Sequence, residues 1–414
     1  MLVTFFSILF AVGYLFYAER FPIELHDGLL SAMIAGGGAL ILFLTSFFYI
    51  MILSPLERLE QKLVPNLMEI FKKNSLLRLC RMVLFIFPVA SFFIAALIIA
   101  PTMPHKTWFF LGWIILFGFV IDLFRHSWKS VVDFLNPSYM VKQLEGEAIR
   151  AIKNEKDEQL WESIDGISEI CLRSIEKSRI ALSTQALQTF PQIYQMFFHL
   201  SKSISRVNPD MKVEKETGLD EASFTVYFLL QRLELINDRA LQHRLETIVR
   251  QLVTSLSKII IYAAKFDLSM VAFPTHFLAK FGLKAQQHHY EEVAMLTTSS
   301  LTEIAKTIMT DIDIAYAELQ EPFRAIITGL NALAKGTFKK HKDTSISILK
   351  EPFLQIKMLF QSEKMVQHPD TPVILAELDR VLDEWDTLDK VMRGIPPIPL
   401  MGDEIGVPPL PPGV

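Results

Sequence analysis

The chain has 414 residues, 21% of them charged, with a formal net charge of −4, yet its mean hydropathy is positive at +0.31. The imbalance lies at one end: residues 1–140 hold 10 of the 41 Lys+Arg and 8 of the 45 Asp+Glu, which leaves the remainder mildly acidic. A nucleic-acid binder needs a basic face to neutralise phosphates, so that partner class is excluded from the expectation. Two cysteines 91 positions apart, Cys80 and Cys171, form neither a disulfide framework nor a zinc cluster.

Leu2–Ala18, Leu29–Leu53 and Met82–Ala100 carry no charge, and Thr107–Phe124 carries one acid, Asp122. The first segment, 17 residues long, is at the short end for a crossing; the next two are 25 and 19. Segment one lacks the basic flank of a signal peptide, and Phe16 stands where a small residue would precede cleavage, so it reads as an uncleaved anchor. Positive charge concentrates in 54–81 (Arg58, Lys62, Lys72, Lys73, Arg78, Arg81) and after the fourth segment. The positive-inside rule therefore predicts four transmembrane helices over 1–135, with both termini cytoplasmic and the membrane itself unspecified. Asp122 reads as an interfacial partner of Arg125 and His126. Ser31, Ala35 and Ala39 beside Gly36–Gly38 read as a small-residue packing face.

In the inner loop, Ser54-Pro55-Leu56-Glu57 has capping-box spacing and predicts a new amphipathic helix, bent at Pro65. It would lie on the inner leaflet or beneath the cytoplasmic domain, with Lys62, Lys72, Lys73 and Arg78 as candidate lipid contacts.

Asn136-Pro137-Ser138 marks a turn and a helix cap opening a cytoplasmic domain over 136–393. Apolar stripes such as Leu160, Ile164, Ile167, Cys171 and Ile175, or Leu245 through Ala263, are helical, and no strand pattern competes. The clearest breaks are 207–220, a possible subdivision, and the basic stretch Lys335–Asp343, read as a loop in which Lys339 and Lys340 are further candidate lipid contacts. Leu319-Gln320-Glu321-Pro322-Phe323 is echoed by Leu349-Lys350-Glu351-Pro352-Phe353, with Phe190-Pro191 and Phe273-Pro274 as looser relatives. The expected fold is thus all-α: a four-helix membrane bundle followed by irregular, α-solenoid-like stacked hairpins.

Ile374, Leu378, Val381, Trp385, Leu388 and Met392 recur at spacings of 4, 3, 4, 3 and 4, a seam for the preceding helix or for a second chain. The tail 394–414 is proline-rich and extended; Pro396, Pro399, Pro408 and Pro411 are candidate contacts for an aromatic groove, in cis or in trans.

No phosphate-binding, dinucleotide, zinc-protease or hydrolase motif is present, and no cofactor is expected. His288 and Glu292, four apart, would share one helix face but do not complete a metal site. Asp311 and Asp313 would diverge on a helix. The expectation is a non-enzymatic, membrane-anchored scaffold or adaptor binding lipid and other proteins, itself a possible homo-oligomer. A channel or transport subunit and a lipid-acting membrane enzyme are the alternatives.

Overall fold

The computed structural model describes residues 2–18, 26–62, 75–99, 106–207, 221–312, 314, 317–342 and 344–392. Among these the chain is all-helical, with no strand. It forms two compact units: residues 1–151 with 157–186, and 152–156 with 187–414.

The first unit holds α1 (Leu2–Ala18), α2 (Asp27–Lys62), α3 (Ser75–Ile99), α4 (Lys106–Phe134), α5 (Pro137–Lys153), α6 (Asp157–Glu176) and the start of α7 (Ile180–Val207). Three helices are long and apolar enough to cross a membrane, over Asp27–Met51, Leu77–Ile99 and Lys106–Phe134; Leu2–Tyr14 is a shorter apolar helix. On α2, Ser31, Ile34, Gly38, Ile41 and Thr45 face inward, while Leu29, Met33, Leu40, Phe43, Phe47 and Ile50 are exposed. Small residues interspersed among apolar ones on the inner face, with large apolar residues outside, is an arrangement suited to lipid, where close backbone approach holds helices together. The seam corrects the expected stripe in one position: Ala39 is exposed, and Gly38, against Ser91, takes its place. Spacings of 3 and 4 keep one face in register; the repeated 4 from Ser31 to Ala39 drifts off it.

Cross-contacts fix the helix directions. Ser31 pairs with Ala95 and Gly38 lies against Ser91, so α2 and α3 are antiparallel. Asp27 pairs with Lys106 at 2.5 Å and Phe48 packs on Phe124 and Trp128, so α2 and α4 run parallel. α2 continues to Lys62 with Pro55 inside it, so no helix starts at Ser54. The residues before Pro55 are already helical, and the proline removes only the bond its N–H would have made to the Met51 carbonyl. Pro65, Lys72 and Lys73 lie outside the described residues. At 136–138 the cap is Asn136, whose side chain accepts the Ser138 N–H at 3.0 Å, with Pro137 at the first helical position.

The second unit continues α7 and holds α8 (Glu221–Gln242), α9 (Glu246–Phe266), α10 (Ala272–Gln287), α11 (Glu291–Asp311), α12 (Gln320–Lys340), α13 (Ile346–Phe360), the single turn α14 (Glu363–Val366) and α15 (Thr371–Met392). From α8 onward each long helix packs chiefly on those one and two places along the chain. Lys284 on Glu234 and Asp238, Gly282 against Leu333, and Lys335 on Glu384 make α8, α10, α12 and α15 one parallel row. Arg250 on Glu292 and Lys265 near Asp311 make α9 and α11 parallel in a second row. The rows touch where glycine permits: a Cβ on Gly282 would sit 2.8 Å from Thr297 Cγ2 and 2.9 Å from Leu333 Cδ2.

Tight turns close the hairpins without glycine. Ser178, Arg244 and His289 have φ of 53°, 56° and 65°. Arg179, Leu245 and Tyr290 N–H groups then return to the Ser174, Ala240 and Ala285 carbonyls at 2.8–2.9 Å, a six-residue closure that satisfies the helix ends. Lys335–Lys340, expected to be loop, is the end of α12. Gly336 is tolerated there because it lies against Gln286, whose side-chain nitrogen bonds the Leu333 carbonyl at 3.0 Å and the Thr337 hydroxyl at 2.7 Å. The proline echo is not a structural repeat. Pro322 is the third residue of α12, whereas Pro352 is the seventh of α13.

On α15, Ile374, Leu378, Val381 and Trp385 are buried against α12 and α13, Leu388 is half-buried and Met392 is exposed. Trp385 donates to Asn331 at 3.2 Å and meets the Phe338 ring edge-on. The seam is therefore an internal one, and its first four positions offer no surface to a second chain. Trp385→Ala should cost about 3–5 kcal/mol of stability, as large aromatic core truncations do. Chemical denaturation measures the loss, and native mass in detergent should be unchanged; a fall in oligomeric mass with stability intact would contradict the internal seam.

Candidate functional site: a shared helix cap and an exposed aromatic face

Two arrangements carry chemistry beyond packing, one in each unit. In the first, Asp122 of α4 is 8% exposed and turns to the start of α1. Its carboxylate accepts the Val3 N–H at 3.3 Å, the Thr4 N–H at 2.9 Å and the Thr4 hydroxyl at 2.7 Å. The first N–H groups of a helix have no partner within it, and Leu2-Val3-Thr4 carries no acid to supply one. Asp122 thus caps α1 from a neighbouring helix, where a negative charge also complements the helix dipole. Gly118, one turn earlier, lets α1 come close; a Cβ there would be 3.2 Å from the Thr4 Cα. The expected pairing of Asp122 with Arg125 and His126 is replaced by this contact, and those two residues are exposed. Sequence spacing finds i+3 and i+4 neighbours but not a partner 118 positions away.

Other polar groups in the bundle are also used between or within helices. Trp113 donates to the Ser91 hydroxyl at 2.9 Å, Ser91 donates to the Phe87 carbonyl at 2.8 Å, and Ser31 to the Ala95 carbonyl at 2.9 Å. Such bonds satisfy buried polar atoms and hold helices together in an apolar medium.

In the second unit, Tyr227 of α8 is 38% exposed and Phe273 of α10 44%. Their rings stack at 5.7 Å between centroids, and Phe273 meets Phe277 edge-on at 5.1 Å. Below them Lys280 lies over the Phe277 ring and pairs with Glu234 at 2.5 Å; Lys284 bridges Glu234 at 3.2 Å and Asp238 at 2.6 Å. The Lys280 hydrogen bond leads in holding the Glu234 carboxyl below its usual range, against partial burial and with help from Lys284. For Lys284, burial pulls the ammonium down, but Asp238 and Glu234 outweigh it and the net shift is upward. Stacked aromatic rings rimmed by paired charges thus form one face across α8 and α10. This face is absent from the sequence expectations. Its signal is an aromatic residue off the buried stripe: Val226, Leu229, Leu230 and Leu233 face the core, which puts Tyr227 outside.

The residues singled out by sequence are placed as follows. His288 ends α10 and Glu292 lies in the first turn of α11, so they share no helix; Glu292 pairs with Arg250. His341 and Lys340 reach Glu291 at 2.7 and 3.7 Å, and the His341 hydrogen bond leads in lowering the Glu291 carboxyl. Lys340 also donates to the Gln286 carbonyl at 2.9 Å, capping the end of α10, which leaves Lys339 exposed on the same turn. Arg78 is exposed near the start of α3, and Lys62 ends α2. Asp311, 3.7 Å from Lys265, borders an open cleft of about 730 Å³ with Asp267, Glu318 and Glu321. Asp313, Pro396, Pro399, Pro408 and Pro411 lie outside the described residues. Cys171 is fully buried, and burial pushes its thiol up, which makes it an inert core side chain. Among the described residues no three His, Cys, Asp or Glu side chains gather as a metal site. No family model, curated protein or solved structure matches the chain.

Two predictions follow from these geometries. With cysteines at Thr4 and Gly118 as a proximity pair, Asp122→Ala should abolish cross-linking, while Asp122→Asn, which keeps an acceptor oxygen, should retain part of it. Undiminished cross-linking in Asp122→Ala would show that the cap is dispensable. For Glu234, a lowered folded pKa means that its contribution is present above the ordinary value of 4.5 and is lost as pH falls through the folded value. The melting-temperature gap between the native protein and Glu234→Gln should therefore be open at pH 7 and close on acidification below that range.

Proposed function

We propose that this protein is a membrane-anchored helical scaffold, with an α-solenoid-like array that presents the Tyr227–Phe273–Phe277 face to a protein partner. The carrying observation is that face: exposed, mutually stacked aromatic rings on an array whose core is otherwise closed. Burying two such rings on a partner supplies roughly 1.5–3 kcal/mol for each side chain. Contacts between helices one and two places apart in the chain support the solenoid reading, since each repeat of such an array touches only its neighbours.

The same proposal gives α1 a crossing of its own. Support comes from its antiparallel run along α4, with Thr4 and Ser7 against Gly118, and from its outward Leu2, Phe5, Phe6, Leu9 and Phe10. Four alternating helices put the N-terminus and the array on one side, which the charge of 54–81 assigns to the cytoplasm. Use of the bundle's polar side chains in helix contacts favours an anchor over a conducting path.

Tyr227→Ser with Phe273→Ser should leave membrane extraction and melting temperature unchanged and lose a protein that co-purifies with the native chain in mild detergent. An unchanged set of co-purifying proteins removes the face from the proposal. Ion or solute flux through the purified protein in liposomes overturns the scaffold reading as a whole.

A further inference from the structure

The side of α4 that receives α1 continues beyond the contact. Thr4 and Ser7 of α1 lie against Gly118, and Asp122 caps the first turn. Arg125 and Lys129 follow at spacings of 3 and 4, which keeps them on that same side of the helix. Both are exposed, and neither makes an ion pair among the described residues. Val132, three positions further, is 48% exposed, so the strip stays open.

Two tryptophans give the depth. Trp108 is 60% exposed and Trp128 39%, and they stand twenty positions apart on α4. Twenty residues of helix rise about 30 Å, the thickness of a bilayer's hydrocarbon core. Exposed tryptophans at both ends of such a span mark the two headgroup boundaries. Lys106, beyond the first boundary, is paired with Asp27 at 2.5 Å. At the second, Arg125 sits one turn inside Trp128, and Lys129 follows Trp128 directly. A cation at that depth is costly unless an anion meets it. Asp122 is committed to the Val3 and Thr4 N–H groups, and Asp133 makes no ion pair with Lys129.

We propose that Arg125 and Lys129 bind the phosphate of an anionic phospholipid at this boundary. The inference rests on the reading of the bundle as a membrane anchor. A guanidinium takes two phosphate oxygens in parallel and an ammonium adds a point charge. Both side chains lay apolar stems along the helix and hold their charge at headgroup level. Complementarity selects an anionic headgroup over a zwitterionic one, whose own cation would stand beside the two basic groups. The topology puts this end in the cytoplasmic leaflet, where anionic lipid attracts such residues.

The test uses the full chain, delipidated in mild detergent, and native mass spectrometry with added phosphatidylglycerol or phosphatidylcholine. The native chain should retain phosphatidylglycerol at least several-fold better. Arg125→Gln/Lys129→Gln should carry one phosphatidylglycerol fewer, whereas Arg125→Lys/Lys129→Arg keeps it. Lys153→Gln/Lys156→Gln, an equal loss of charge at exposed residues elsewhere, should change nothing. Lys129→Gln alone should already weaken retention, so the proposal does not depend on a variant that disturbs the bundle. Equal retention of the two lipids, full retention by the glutamine pair, or release of phosphatidylglycerol by excess inorganic phosphate each overturns the proposal. Release of the native chain from membranes by alkaline carbonate without detergent is a separate result, and it overturns the anchor reading itself.

Discussion

The constraint on which the first unit depends is the satisfaction of polar groups in an apolar medium. Helices α1–α4 carry Phe, Leu, Ile and Met on their outside as well as in their core, and set Ser31, Thr45, Ser91 and Asp122 among the buried residues. In water that exterior would be strongly unfavourable; in hydrocarbon it carries no such penalty, and the interior polar atoms then have to find partners within the protein. Ser31, Ser91, Trp113 and Asp122 all do so, each with a partner more than twenty positions away. The cap on α1 is the sharpest case. A short apolar helix gains an anchor at its first turn from the Asp122 carboxylate, whose negative charge also complements the helix dipole.

The second unit differs in its surface, which is charged. Its interior is largely aliphatic and aromatic, with buried bonds such as Tyr194 to the Thr225 carbonyl and Gln286 to the Leu333 carbonyl, while its ion pairs lie at the rims of the two helix rows, at Glu234, Lys284, Arg250, Glu291 and Lys340. Row-to-row approach is set by small residues such as Gly282, and the turns by single left-handed residues rather than by flexible loops. A stack built this way spreads its stability over neighbour contacts. It leaves long faces free of structural duty, and those faces are where Tyr227, Phe273, Ile348 and Met358 stand exposed.

What the sequence by itself determined is whatever periodicity and charge encode locally: helices, the apolar segments near the N-terminus, read as four crossings, of which three are helices long and apolar enough to cross a membrane, and the inward seam of α15 from Ile374 to Trp385. A run of uncharged apolar residues, or spacings of 3 and 4, survives any tertiary arrangement because both follow from helix geometry and solvent preference. Tertiary structure alone decided the rest. Hairpin turns at Ser178, Arg244 and His289 use no glycine or proline, so composition gave no sign of them. Pro55 and Gly336, which read as breaks, lie within helices: Pro55 forfeits a single backbone bond, and Gly336 lies against Gln286. The partners of Asp122, Lys284 and Lys340 depend on which helices meet, and the same holds for the aromatic face, since a residue off the buried stripe of its own helix becomes a surface only when no other helix covers it.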